Sequence, residues 1–270
     1  LNGSTVAYHG EKDFTGTARE LLEGGHSIGG HSLTHPYLTY VHRNRMFEET
    51  AGVRLEWEAA LDTPVCSYAF SFCDIRSQAE GDIVQRDIMR TLERAGYYHV
   101  ATFAGKFGNQ LTPMIESIIM PPENAPFAEF VQACQWALND PKARKEYLCI
   151  SHSMHSWYGT PAVDYGFDEL ERRLDYLLHA GDFWQCNQNE FAAYRYQVLH
   201  TVLRTELEGA RLHISLERPR VRFLNDDIPL TLVVSGPPAT LVEGRRTTGL
   251  VTRSDRSQPN ALLLNVGHPA

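Results

Sequence analysis

The sequence has no run of about 18 apolar residues, so no transmembrane helix is visible in it. No basic segment followed by an apolar stretch opens it, and it does not begin with Met; the chain reads as a fragment or a processed form, and its compartment is undecided. Paired thiols are missing too. The five cysteines (Cys66, Cys73, Cys134, Cys149 and Cys186) are odd in number and widely spaced, with no C-x-x-C. That argues against a disulfide scaffold or a zinc-thiolate knuckle and for buried, reduced thiols. Positive charge is in short supply: 25 Lys and Arg stand against 33 Asp and Glu, a formal net charge of −8. Nothing in that balance favours a phosphate-backbone partner, so nucleic acid is not expected. Short repeats and low-complexity tracts do not occur.

Aromatic residues and cysteine run out toward the C-terminus. All 4 Trp, all 12 Tyr and all 5 Cys lie before residue 200, and Phe223 is the one aromatic after it. The tail carries short β-branched or apolar runs instead, "RLHISL", "RVRFL", "PLTLVVS" and "ALLLNV", broken by Pro, Gly and Asn-Asp. These read as hairpins of a small all-β appendage at residues 201–270, with the boundary near 197–208.

Residues 1–200 alternate between two periodicities. "STVAYH", "VCSYAFSF", "YYHVATF", "YLCISHS" and "FWQCNQ" read as strands, the last with Trp184 on the sheet side. "TGTARELLEGG", "HRNRMFEETAGVRLEWEAAL", "DIVQRDIMRTLERAG", "FAEFVQACQWAL", "GFDELERRLDYLLHAG" and "NEFAAYRYQVLHTVL" read as helices. In the second of these, Met46 or Phe47, Val53, Leu55, Trp57 and Leu61 recur at helical spacing. Such alternation predicts an α/β architecture with a mostly parallel sheet or barrel, with chemistry where strands end.

One short stretch concentrates metal-ligand chemistry. "GGHSIGGHSLTHPYLTY" holds His26, His31 and His35. Histidines four apart share a face on a helical turn, and imidazole suits borderline cations such as Zn²⁺. Spacing alone is weak, since a chain of this composition yields about 0.5 H-x-x-x-H matches by chance. The context adds to it. A helix and a glycine stop precede the pair, Gly29 and Gly30 let the backbone turn closely, and Pro36 fixes the chain after His35.

The residues Gly25, His26, Ile28, Gly29, His31, Ser32, Thr34, His35 and Pro36 form "G-H-x-I-G-x-H-S-x-T-H-P". This resembles the second motif of the polysaccharide deacetylase (NodB-homology) family of carbohydrate esterases. "YAFSFCD" with the following helix and "AGYYHVAT" is similar to the third motif, with Ser71 where Pro is usual, Cys73 where Gly is usual, and no preceding Arg. "YLCISHSMHSW" resembles the last motif. The resemblance covers roughly residues 1–200. It implies a distorted (β/α) barrel, incomplete at the N-terminus, with a small C-terminal all-β appendage.

In function, the resemblance implies a metal-dependent hydrolase that removes acetyl groups from an N- or O-acetylated polysaccharide or oligosaccharide, outside the cytoplasm. By it, His31 and His35 hold a divalent metal, zinc before others, and His26 is structural. Ser32 and Thr34 support the loop, and His152 is the general acid, for which imidazole is suited. Tyr68, Phe72 and Trp157 could stack on sugar faces, while Phe70 is expected in the core. His155 reads as a loop residue near the cleft.

The family's Asp-Asp motif, source of the catalytic base and a third ligand, has no clear counterpart. Asp13 opens a helix, and Asp226–Asp227 lies in a tail that reads as a turn. On this reading "LNGSTVAYH" is the family's second strand. Two further readings stay open: a non-catalytic carbohydrate-binding or scaffold protein with a vestigial site, and an unrelated metallohydrolase using His31, His35, His152 and His155.

Overall fold

The computed structural model describes residues 2–3, 15–73, 82–103, 115–119, 125–140, 150–151, 167–181, 183–219, 228–236, 251–253 and 261–267. The chain divides into two compact units, Leu1–Asn187 and Gln188–Ala270. The sequence boundary near 197–208 follows a helix that the compact units group with the tail.

In the first unit, six strands form one parallel sheet: β1 (Asn2–Gly3), β2 (Gly29–Gly30), β3 (Ser67–Ala69), β4 (His99–Phe103), β5 (Ile115–Ile119) and β6 (Ile150–Ser151). They lie side by side in chain order, with no reversal. Parallel neighbours need a crossover, and helices supply most of them: α1 (Thr15–Glu23), α2 (Arg43–Leu61), α3 (Asp82–Arg94) and α4 (Phe127–Asn139). The unit's last helix is α5 (Phe167–His179).

The core lies between this sheet and helices α1 to α3. It joins Ala18, Ile28, Leu38, Met46, Val53, Trp57, Val65, Tyr68, Phe70, Ile88, Met89, Leu92, Tyr97 and Val100. On α2 the inward face is Met46, Glu49, Thr50, Val53 and Trp57, a run of three- and four-residue steps. Leu55, read from sequence as part of the apolar stripe, is 64% exposed, and Phe47 also faces outward. Position 55 is two residues from both Val53 and Trp57, and residues i and i+2 lie on opposite sides of a helix. Arg43 on α2 pairs with Asp87 on α3. Buried Cys66 and Cys134 are thiols rather than disulfide sulfurs, and burial pushes Cys66 up to about 11 against the lowering effect of Arg54, so the thiol stays protonated.

The second unit opens with α6 (Gln188–His200), which buries Phe191, Ala192, Ala193 and Gln197. An antiparallel hairpin follows, β7 (Val202–Glu208) and β8 (Arg211–Glu217), closed by Gly209 at φ 59° in a two-residue turn. A three-stranded antiparallel sheet then joins β9 (Leu230–Ser235), β10 (Val251–Arg253) and β11 (Ala261–Val266) in the order β10-β11-β9. Among the described residues no helix is long and apolar enough to cross a membrane.

Several sequence expectations change. The "FWQCNQ" segment carries no strand over its described residues 183–187, and Trp184 there is exposed. The helix read through Leu203 ends at His200, because Val202 begins the β7 ladder with Glu217. Strands β5, β7 and β10 were not foreseen. "STVAYH" and "RVRFL" lie outside the described residues.

Two close contacts fix the strands beside the histidine loop. A Cβ on Gly30 would overlap Tyr97 Oη and stand 3.2 Å from Tyr68 Cδ2. Tyr97 cannot readily yield, since it is buried and its hydroxyl donates to the Thr50 carbonyl at 2.9 Å. Gly30→Ala should therefore cost about 1–3 kcal/mol by overpacking. Combining it with Tyr97→Phe should recover part of that loss, read as urea midpoints of the single and double variants.

His99 on β4 is fully buried, and burial lowers its pKa from 6.5 to about 3. The unfolded chain therefore takes up a proton that the folded chain refuses. This group's contribution is complete above pH 6.5. It falls by about 1.4 kcal/mol per pH unit as the pH drops from there toward 3. In urea unfolding at a series of pH values, His99→Leu should lack this part of the slope. Equal slopes in the two proteins would contradict the assignment.

Candidate metal centre

The histidine loop is launched by a glycine stop. At the end of α1, Gly25 takes φ 82°, its N–H bonds the Leu22 carbonyl at 3.0 Å, and the His26 N–H bonds the Leu21 carbonyl at 2.9 Å. This is a Schellman motif, with exposed His26 as its second residue past the cap. The chain then enters the sheet through buried Ile28 and the β2 glycines, and leaves it at His31. Neighbouring β3 runs parallel and ends at Ala69. The loops after β2 and β3 thus meet at the C-terminal edge of the sheet.

His31 Nδ1 lies 2.9 Å from the Ala69 carbonyl. A carbonyl can only accept, so Nδ1 carries the proton and Nε2 presents a lone pair. His35 Nε2 stands 3.0 Å from that Nε2. The pair does not lie on a helical turn. It converges because the backbone reverses at Ser32 (φ 66°) and His35 (φ 59°). Phe72, in the turn Ser71–Cys73, also has positive φ (56°), and its ring meets the His35 ring edge-on at 4.5 Å. Among the described residues four non-glycine positions have positive φ; one is His35 itself and two, Ser32 and Phe72, adjoin the pair, while the fourth, Asp62, caps α2. Each such residue costs about 1–3 kcal/mol, and such residues cluster at functional sites.

Two sets of hydrogen bonds hold the loop. Ser71 Oγ donates to the His31 carbonyl at 3.2 Å and is 2.8 Å from Ser32 Oγ, tying the β2 and β3 loops together. Glu49 on α2 grips the other side. Its carboxylate accepts from Thr34 N–H at 2.7 Å and from Thr34 Oγ1 at 2.5 Å, one residue before His35. Arg45 flanks it at 3.4 Å.

The donor set suits a cation in part. Two imidazole nitrogens bound to one tetrahedral ion at the usual distance stand about 3.3 Å apart, close to the 3.0 Å seen. A ligating histidine commonly donates its other N–H to a carbonyl, as His31 does to Ala69. Among the described residues, however, no three His, Cys, Asp or Glu side chains converge as a metal site. The described donors are His31 and His35.

Of the other residues singled out from sequence, Phe72 stands beside His35 and is 50% exposed. Tyr68 is a correction: it is fully buried, packed edge-on against Phe70 and Tyr97, and offers no face to a sugar. Its position at the centre of β3, between β2 and β4, turns the ring into the core. His152, His155, Trp157, Asp13, Asp226 and Asp227 lie outside the described residues. Glu49 was missed. Its signal was a carboxylate on the apolar stripe of α2, next to Thr50 and one turn from Met46 and Val53.

No protein-family model and no curated protein matches the chain. Solved structures do show partial likeness. A polysaccharide deacetylase from Bacillus cereus is 17% identical over 38% of this chain and 31% of its own, with a TM-score of 0.29. A CE4 family pseudoenzyme from Bacillus anthracis is 12% identical over 66% of this chain and 50% of its own, with a TM-score of 0.38. A Mycobacterium smegmatis protein assigned to the polysaccharide deacetylases is 12% identical over 66% of this chain and 65% of its own, with a TM-score of 0.43. The chain thus spans between 31% and 65% of the length of these structures.

Glu49→Ala should remove the acceptor of both Thr34 bonds and lower stability by about 1.5–3 kcal/mol. Glu49→Gln, which keeps one acceptor oxygen, should lose less. Thermal denaturation of the two variants checks the order.

Proposed function

We propose that the chain is a polysaccharide deacetylase-like protein. On this reading His31 and His35 hold a divalent metal, zinc foremost, and acetyl groups are removed from a carbohydrate. The observation that carries it is the facing pair of Nε2 atoms at 3.0 Å, with His31 oriented by the Ala69 carbonyl on a strained loop at the sheet edge. A divalent ion there would supply Lewis acidity toward the acyl oxygen.

The chain's own residues have separable tasks in this proposal. His31, locked in one tautomer, keeps Nε2 free of a proton. Phe72 walls one side of the pair and limits water there. His152 protonates the departing amine or alcohol, a role suited to imidazole near neutral pH. Strand spacing bears on this. Strands stand about 4.8 Å apart, so the ends of β2 and β6 in a flat sheet would be about 19 Å from each other. A general acid following β6 needs the curvature of a distorted (β/α) barrel, which the unreversed strand order favours. The proton acceptor and a third ligand belong to the carboxylate motif that the sequence does not clearly supply.

A second reading is a carbohydrate-binding protein on the same frame with a vestigial site. It is supported by the half-exposed Phe72 ring beside His35, a surface that can stack on a sugar without any catalytic base.

Equilibrium dialysis against Zn²⁺ and Co²⁺, with acetate release from acetylated chito-oligosaccharide and xylan, separates the two. The deacetylase reading expects metal binding that His31→Ala and His35→Ala each abolish, together with acetate release. Metal binding without acetate release would select the binding protein. Unchanged metal binding in both alanine variants would defeat the site assignment itself.

A further inference from the structure

Three large rings that face water gather beside the histidine pair. Phe72 is 50% exposed, Tyr37 44% and Tyr40 77%. Single exposed aromatics are ordinary on protein surfaces, but these are contiguous. Tyr37 and Phe72 lie face to face, with centroids 4.0 Å apart and planes 12° from parallel. Tyr40 meets Tyr37 edge-on at 6.0 Å. Since Phe72 also touches His35, the rings form one connected series that starts at the histidine pair.

The backbone sets this series. Tyr37 caps and Tyr40 ends a single turn, Leu38–Tyr40, closed by the Tyr40 N–H bonding the Tyr37 carbonyl at 3.0 Å. Buried Leu38 pins that turn into the core, so both tyrosines are held outward. From the other loop, Phe72 is turned toward them by its left-handed backbone. A ring that served only to fill the core would not be held out by a strained residue.

The surroundings are polar. Past partly buried Val41, exposed His42, Arg43 and Asn44 follow Tyr40. A protein-binding patch has an apolar centre of some breadth, whereas here a narrow row of rings is bordered by hydrogen-bonding side chains. A ligand with one apolar face and a polar rim fits such a row. A pyranose ring has this form, with C–H groups on its face and hydroxyls around its edge.

We infer that Tyr37, Tyr40 and Phe72 form a stacking subsite for the sugar rings that flank the residue presented to His31 and His35. Tyr40 is the outer contact, and Tyr37 is a positioning residue that holds the Phe72 ring. The identity of the ligand as a carbohydrate rests on the proposed function; the row of rings does not.

The test is calorimetric titration of the full chain with acetylated chitotetraose and with acetylated xylotetraose, alongside Zn²⁺ titration. Tyr40→Ala should weaken tetrasaccharide binding about three- to tenfold while leaving the Zn²⁺ affinity and thermal midpoint unchanged. Tyr40→Phe, which keeps the ring face, should bind as the unaltered chain does. Tetrasaccharide binding that ignores Tyr40→Ala, or no binding of either tetrasaccharide, would overturn the subsite. Zn²⁺ bound without sugar leaves the metal site standing and removes the subsite. Sugar binding that depends on Tyr40 without any Zn²⁺ affinity removes the metal site and keeps the subsite.

Discussion

A nearly buried carboxylate organises the region around the histidines. Glu49, 3% exposed, faces inward from α2 among Met46, Thr50 and Val53. A charge removed from water must be met by donors. The donors here are the backbone and hydroxyl of Thr34, in the middle of the histidine loop. The loop is thus drawn onto the helix by the helix's own need, and His31 and His35 are left on either side of the anchored residue. An apolar side chain at position 49 would leave α2 folded but remove the acceptor that holds the loop where it lies.

The strained positions follow from the same arrangement. Once Thr34 is anchored and His31 is tied to β3 through Ala69 and Ser71, the intervening backbone has little room. It reverses at Ser32 and again at His35, neither of which is a glycine. Glycine would relieve the strain yet lose either the Ser32–Ser71 hydroxyl contact or the imidazole itself. Side-chain chemistry and backbone comfort compete at both positions, and side-chain chemistry prevails.

Much of this is legible in the amino-acid sequence, though unevenly. The helices showed themselves through long-range periodicity and glycine stops: Gly25 and Gly96 both take positive φ where a stop was expected. The histidine pair was visible as spacing plus flanking glycine and proline. Its convergence was assigned to a helical turn, which two-residue periodicity arguments cannot distinguish from a doubly reversed loop. Strand β5, "IESII", interrupts its apolar residues with Glu and Ser, so no clean alternation marked it. Tyr68 was misjudged because a strand aromatic reads the same whether it faces core or cleft, and only the parity of β3 against its neighbours decides. The role of Glu49 depends on a partner 15 residues away across a turn, which no local pattern encodes.

The order of the strands has a bearing on how the chain comes to be folded. Each parallel strand pairs with the one made just before it, and the residues that build the described site all fall between His26 and Phe72. Closing such a sheet never requires a late segment to thread between two early ones. As synthesis proceeds from the N-terminus, this segment can gather its loop, its helix and its two strands while the rest of the chain is still emerging. The bonds described for the histidine loop thus join residues no more than 40 apart in sequence, a short closure for a site built on a parallel sheet.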